Sequence, residues 1–415
     1  MTTRRSTTNE RNVKTVTRIC QPLVLATLLA FTGCQNQKLS LPARGVPFTA
    51  SLYGSTVIRL TDKNIDGYSG PGIQNEYARA DAENSSGRYL VLRSNDGEWY
   101  LYDRVALATI SHLENLGSIE EPEPRWDPAD SNAFYYLHAT ELRRYDIATA
   151  SSNLVHDFRT EYPGCQAITT KTEGDASLDR RFWCFIIEDS LDNVLAVVVY
   201  DRQLDCIIGS KTSFPETLNW VSMDMSGRHC VIGYESRPAQ IFSPDFSTAL
   251  DLPAGANGHM DLAQTADGRD VMVYQNNATD WIAMADLETG AETPLIEIPF
   301  STNTDIGLHF SGNCSQVPGW VLVSTYGAEN PPAGQTHSWM DNLLFMLELK
   351  DNPRIVKVAG THCYTGKHPV SNYFAEAYAS INQAGTRIIY GSNWGLYKPD
   401  YTDAYEVRLP DGWNR

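Results

Sequence analysis

The chain has 415 residues, 42% of them hydrophobic, and a formal net charge of −17. That composition is ordinary for a globular fold and excludes disorder over most of the length. It also argues against a nucleic-acid partner, because counterion release requires clustered Lys and Arg and the basic residues gather only in the N-terminal tail.

Residues 1–34 read as a signal peptide. Arg4, Arg5, Arg11, Lys14 and Arg18 precede the apolar run from Pro22 to Phe31, which ends in Thr32-Gly33-Cys34. The run is shorter than the roughly 20 apolar residues that a spanning helix needs. Its end resembles a bacterial lipobox, with Phe31 where Leu is usual; an ordinary signal peptide cut nearby is the alternative. The resemblance implies a lipid on Cys34 and, with Gln35 rather than Asp following, the outer membrane as destination; without the lipid the destination is the periplasm. Residues 35–47 are polar and Pro-containing and read as a tether.

Beyond the signal, six cysteines remain: Cys165, Cys184, Cys206, Cys230, Cys314 and Cys363. Export to an oxidising compartment permits pairing. Cys165 with Cys184, and Cys206 with Cys230, are the candidate pairs, and unpaired buried thiols are the alternative. The absence of a CxxC spacing argues against a structural zinc site.

The folded part is written most clearly between Gly258 and Ile298. His259 to Gln264 is a strand that ends at Ala266-Asp267-Gly268-Arg269, whose Asp-Gly pair supplies the positive φ of a tight hairpin. Asp270 to Gln275 is a second strand, Trp281 to Asp286 a third and Glu292 to Glu297 a fourth. Four short strands with turns at this spacing and no helical period describe one blade of a β-propeller.

The same unit recurs from Glu76, Glu123, Cys165, Asn219, His259, Leu308 and Glu376, about every 50 residues. The chain is therefore expected to be all-β, a seven-bladed β-propeller over residues 48–413. Ser55 to Asp62 forms a strand before the first complete blade, while the last blade shows only three strands. Pairing Val57 to Leu60 with Tyr405 to Leu409 would close the ring and hide a sheet edge.

In such a ring the innermost strands converge on one mouth of the channel. Blade register brings there Glu76, Tyr77 and Arg79; Glu123, Arg125 and Trp126; Gln166; Asn219 and Trp220; His259 and Asp261; His309; and Glu376 and Tyr378. These are not the small apolar residues of a dry plug. Each also has a bland account. His259 and His309, both beside glycines, are a hydrogen-bonded turn residue or a pair of ligands. Arg125 either binds a ligand or salt-bridges Glu123 or Asp127. Asp261 and Glu376 pair with arginines across the channel or hold a metal or a sugar hydroxyl. Tyr77 and Tyr378 are sugar platforms or strand packing. His362 and His368 belong to a loop before the last blade and read as solvated.

The lipoprotein-like start, the seven turn-marked blades, the strand VIRLTD from Val57 and the final RIIYGSNWG from Arg387 to Gly395 resemble the exported bacterial propellers that include oligogalacturonate lyases and some ulvan lyases. The resemblance implies β-elimination on a uronate-containing saccharide: a cation or Arg neutralises the C5 carboxylate, and a His or Tyr removes the C5 proton. It implies His259, His309, Arg125 and Tyr378 as catalytic residues, and Tyr77, Arg79, Trp126, Asn219 and Trp220 as contacts to a poly- or oligosaccharide. It further implies a divalent ion (Mn, Ca or Zn) on His259, His309, Asp261 and Glu376. The chain departs from the pattern at Glu376-Ala377-Tyr378, where such propellers carry a histidine, and it lacks the basic cluster that a sulfated polymer requires. A non-catalytic propeller lipoprotein that binds a glycan or a protein is the second expectation. No feature of the sequence fixes an oligomeric state.

Overall fold

Alternating apolar residues between tight turns such as Asp267-Gly268 fold into seven antiparallel sheets in chain order, each with its strand ladder closed within itself. The computed structural model describes residues 40–50, 52–117, 122–302, 306–327, 337–365, 373–396 and 401–415. The signal segment with Cys34, the start of the tether and His368 lie outside the described residues.

The architecture is the expected seven-bladed propeller. The fifth blade illustrates how closely turn chemistry sets the strands: they are Met260–Gln264, Asp270–Asn276, Trp281–Asp286 and Glu292–Glu297. Gly268 holds φ at 80°, the left-handed value that the hairpin requires. Asp286 caps the third strand by accepting the backbone N–H groups of Glu288 and Thr289.

Each sheet is too narrow to bury its own faces, so the cores lie between neighbouring blades. Between the fifth and sixth, Val271, Val273, Leu308, Phe310, Val321 and Val323 are all buried in one cluster. Full burial of each of these side chains contributes about 1.5–3 kcal/mol. Between the third and fourth, Ile186, Val197, Val221 and Ile232 form a similar layer, and Cys184 and Cys230 lie within it.

The ring closes as the pattern requires. The last sheet runs in the order Phe48–Ala50, Ser55–Arg59, Asp403–Arg408, Arg387–Ser392, Ser380–Ile381. Val57 pairs with Val407 and Arg59 with Tyr405. Buried Asp403 then accepts from Arg59 at 2.8 Å, Tyr68 at 3.2 Å and Thr61 at 3.3 Å, so the seam between the two ends of the chain carries a satisfied charge as well as a ladder.

The cysteine expectation is corrected. Cys184 and Cys230 form a disulfide that joins the second strands of the third and fourth blades. Cys165 precedes its blade's first strand and is a buried free thiol, as are Cys314 and Cys363; Cys206 is free and half-buried. Of the two expected pairings one lay within a blade and the other joined the third blade's outer strand to the fourth blade, whereas the bond formed joins second strands across the inter-blade core.

Candidate functional site

The inner strands of blades four to six are regular: Leu218–Met223, Met260–Gln264 and Ile306–Ser311. Those of the other blades are clipped, to Ile73–Gln74, Arg125–Trp126, Ala167–Thr169 and Ser380–Ile381. Glu76, Tyr77 and Arg79 therefore lie after the first blade's inner strand, not on it, as the repeat had placed them. The clipped segments carry a group of non-glycine residues in the left-handed region: Glu123, Lys171, Thr172, Ala377 and Tyr378, with φ between 42° and 72°. Such positions cost on the order of 1–3 kcal/mol each and persist where the surroundings hold them.

Two of these regular strands position the histidines, His309 on the sixth blade's strand and His259 immediately before the fifth's. His309 is buried and His259 half-buried, and their rings meet edge to face with centroids 4.8 Å apart. The neighbouring glycines explain how they fit. A side chain at Gly307 would collide with the ring of Tyr326, which stacks on His309 at 5.2 Å and 20°. A side chain at Gly258 would come within 2.5 Å of the Gln275 carbonyl, closing the approach beside His259.

Around His309 the tyrosines make a tight collar. Its Nδ1 faces the Tyr77 hydroxyl at 3.3 Å, and its Nε2 lies 3.4 Å from Glu376 Oε2. Glu376 is held in turn by the Tyr378 hydroxyl at 3.2 Å and by that of Tyr326. Burial, reinforced by the positive charge of Arg79, pushes the His309 pKa down to about 3. Burial, His309 and Arg79 push that of His259 down to about 4. Both imidazoles are neutral at pH 7. The His259 ring makes no hydrogen bond with another described residue and opens onto a polar cleft of about 450 Å³, shared with Arg79, Glu173, Asn219, Asn257 and Gln275.

Arg79 crosses this cleft. Its guanidinium lies 5.6 Å from the ring centres of Tyr77 and Trp220 and pairs with the Glu173 carboxylate at 3.1 Å. Glu173 stands on a loop folded over the buried carboxylate of Glu123, which accepts from the Thr169 hydroxyl at 2.8 Å, the Thr170 amide at 2.9 Å and the Thr172 amide at 3.2 Å. Glu173 and Tyr326 carry much of the site, yet neither stands on an inner strand, so the repeat did not point to them. The only sequence signal for Glu173 is its place before Gly174.

Several expected site residues are placed elsewhere. Arg125 is buried with all three guanidinium nitrogens donating to protein: to Glu76 at 2.8 Å, to Pro124 O at 3.0 Å and to Gly174 O at 2.7 Å and 3.3 Å. Burial opposes its charge, and Glu76, Asp175 and Glu123 more than restore it. Arg125 is thus a brace under the site and offers nothing to a ligand. Trp126 faces away from the channel into the core beside Phe134 and donates to Ala82 O. Trp220 is also core, with only its face under Arg79 turned to the site. Tyr378 gives its hydroxyl to Tyr373 O at 2.9 Å, and burial followed by the charge of Glu376 drives its pKa far up, so it keeps its proton and cannot serve as a base. His362 is half-buried against Trp394 and not solvated as expected.

The expected metal set does not assemble. Asp261 spends one carboxylate oxygen on the Leu262 amide at 2.8 Å and the other on the Gly312 amide at 2.6 Å, deeper in the channel. His309 Nδ1 faces the Tyr77 hydroxyl, its Nε2 lies near Glu376 without a hydrogen bond, and Glu376 is engaged by tyrosines. Among the described residues no three His, Cys, Asp or Glu side chains form a group able to hold a metal ion. The residues present do not fit a divalent ion.

No family model matches the sequence, and no curated protein matches it. Among solved structures, the chain is similar to an oligogalacturonate lyase in complex with manganese, with a TM-score of 0.60 at 15% identity over 90% of this chain and 98% of that one. It is also similar to the oligogalacturonate lyase of Vibrio parahaemolyticus, with a TM-score of 0.58 at 13% identity over 89% of this chain and 97% of that one. At these identities the likeness is one of fold.

Proposed function

We propose that the cleft between His259 and Arg79 binds a uronate-containing oligosaccharide and cleaves it by β-elimination. The observation that carries this reading is a neutral imidazole at His259, without a hydrogen bond to any described residue, in the same cleft as a buried arginine. A proton α to a carboxylate becomes removable when the carboxylate's charge is matched and a base stands beside it. Arg79 supplies the first and His259 Nε2 or Nδ1 the second. As the C5 proton passes to His259, the C5 electrons form the C4=C5 double bond and the C4–O bond breaks. The proton on the imidazolium is then available to the departing oxygen. His309, locked by Tyr77, Tyr326 and Glu376, orients His259 and does not itself titrate near pH 7. Asn219 and Tyr77 are substrate contacts in this scheme, and no step runs through a metal. The fold shared with oligogalacturonate lyases, including the manganese complex, supports the substrate class, although no group of this chain's described residues is arranged to hold a metal.

The cell envelope as location, with a lipid on Cys34 holding the protein to the outer membrane, is part of the proposal. The Cys184–Cys230 disulfide supports an oxidising compartment. Detergent phase partition of the native protein and of Cys34→Ala tests the lipid.

A second reading, a non-catalytic glycan- or protein-binding propeller, is favoured by one contact: the Glu173 carboxylate already occupies Arg79, where elimination needs the substrate's. The two readings separate in one assay, incubation with uronate oligosaccharides followed by ultraviolet absorbance of the unsaturated ends. Binding without product supports the second.

A further inference from the structure

Beside the main cleft lies a smaller polar cavity of about 40 Å³, lined by Asn75, Glu76, Arg93, Thr172, Tyr373 and Tyr378 among others. Tyr77, which lines it, packs against Arg79, and Thr172, which also lines it, adjoins Glu173 of the main cleft. From these residues we infer that Arg93 is the floor of a second carboxylate subsite, which takes the acid group of the sugar next to the one at Arg79, so that the ligand is an oligosaccharide with acid groups on consecutive units. The inference deepens the proposed function and rests on its substrate class.

Three observations carry it. Arg93 sits on the first blade's second strand, paired with Gln74, and its stem lies over the buried Trp99 with the guanidinium 5.8 Å from the ring centre. Among the described residues its side chain makes no hydrogen bond and no ion pair, and its Nε is buried without an acceptor. A buried donor on a charged group left this way is unfavourable, and a ligand carboxylate would relieve it. Asn75 is likewise fixed there, with its amide N–H donating to Tyr378 O at 2.6 Å and its carbonyl oxygen buried without a donor, positioned for a sugar hydroxyl. Tyr373, more than half exposed at 59%, stands at the rim with its ring against Tyr378, as a platform for the sugar whose acid group enters.

The size of the cavity sets the chemistry. At about 40 Å³ it holds a carboxylate and a water but no sugar ring, so the ring must lie outside on Tyr373. Glu76 would repel an anion if unpaired, and the Arg125 guanidinium 2.8 Å away cancels its charge. The planar fork of Arg93 then offers two parallel N–H donors to a carboxylate.

The test is equilibrium binding of a uronate trisaccharide and of its methyl ester to the native chain, Arg93→Gln and Arg93→Lys, with thermal unfolding as a control for the fold and product formation recorded in parallel. The native chain should bind the acid form better than the ester. Arg93→Gln should weaken the acid form by about tenfold or more and leave the ester unchanged, with Arg93→Lys in between. Equal affinity of native chain and Arg93→Gln for the acid form overturns the subsite, even if product is formed. Loss of affinity in Arg93→Gln without product from the native chain leaves the subsite standing and removes the lyase reading instead. No binding of the acid trisaccharide to the native chain overturns the inference.

Discussion

The imidazoles of His259 and His309 meet edge to face, 4.8 Å apart between ring centres, from neighbouring blades of the ring. The inner member is clamped between tyrosines and Glu376, while the outer one is left open to the cleft. This asymmetry assigns them different work: one holds a position, the other is available for a proton.

The two arginines divide in the same way, and substitution should separate them. Arg79→Lys should keep the fold and lower kcat/KM by about a hundredfold, because a point charge on a flexible stem replaces the aimed guanidinium. Arg125→Ala leaves Glu76 buried without its counter-charge and should cost about 3–5 kcal/mol of stability. Urea unfolding and steady-state kinetics on both variants check the split.

Asp261 gives a pH signature. Burial, partly offset by Arg79 and the amides of Gly312 and Leu262, raises its pKa to about 7. The ordinary value in an unfolded chain is about 3.9. Its folded form therefore holds a proton that its unfolded form has lost, and the contribution of this group is fully present below about pH 4 and lost as pH rises through about 7. Asp261→Asn has no such loss, so its melting temperature relative to the native protein should shift upward between pH 4 and pH 7. A difference that stays constant over that range contradicts the assignment.

The two histidines run the other way. Their folded pKa values lie below the unfolded value of about 6.5, so the stability they contribute is complete above it and declines as pH falls toward about 4 for His259 and about 3 for His309.

How much of this was legible in the sequence depends on the length scale of the signal. The blade from Gly258 was readable because an Asp-Gly turn and alternating residues are local, and the strands fell where those turns put them. Ring closure followed from counting strands. The inward set was only partly legible. Register placed Arg125 and Trp126 together, yet adjacent residues on a strand face opposite sides, so Trp126 entered the core while Arg125 was consumed by Glu76 and Gly174. Arg79 lines the cleft, although the strand it was assigned to ends at Gln74. Glu173 and Arg93 escaped because one stands on an irregular loop and the other on a second strand. Cys184 and Cys230 escaped because contact between blades leaves no trace in spacing within a blade.

The disulfide predicts a measurable cost. It closes a segment of 46 residues between two blades. Loop-closure entropy puts its contribution on the order of 4 kcal/mol. Reduction, or the double substitution Cys184→Ser with Cys230→Ser, should lower the melting temperature, and the peptide pair should appear cross-linked in non-reducing mass spectrometry.

Chelation should be without effect. Because Asp261 and Glu376 are engaged by protein groups and no three ligating side chains group together among the described residues, EDTA should change neither stability nor turnover, and added Mn, Ca or Zn should restore nothing. A reversible loss of activity on chelation would show that the collar around His309 rearranges to bind an ion.

The central claim is that His259 is the base of an elimination supported by Arg79. It is tested most directly by the ultraviolet absorbance of unsaturated uronate ends released from acid oligosaccharides by the native protein and by His259→Ala. The account predicts product from the native protein, with a rate that falls as pH drops through about 4, and a loss of about a hundredfold or more in kcat in the variant while binding persists. Equal rates in the two proteins, or no product from a folded native protein on any uronate oligosaccharide, would contradict it.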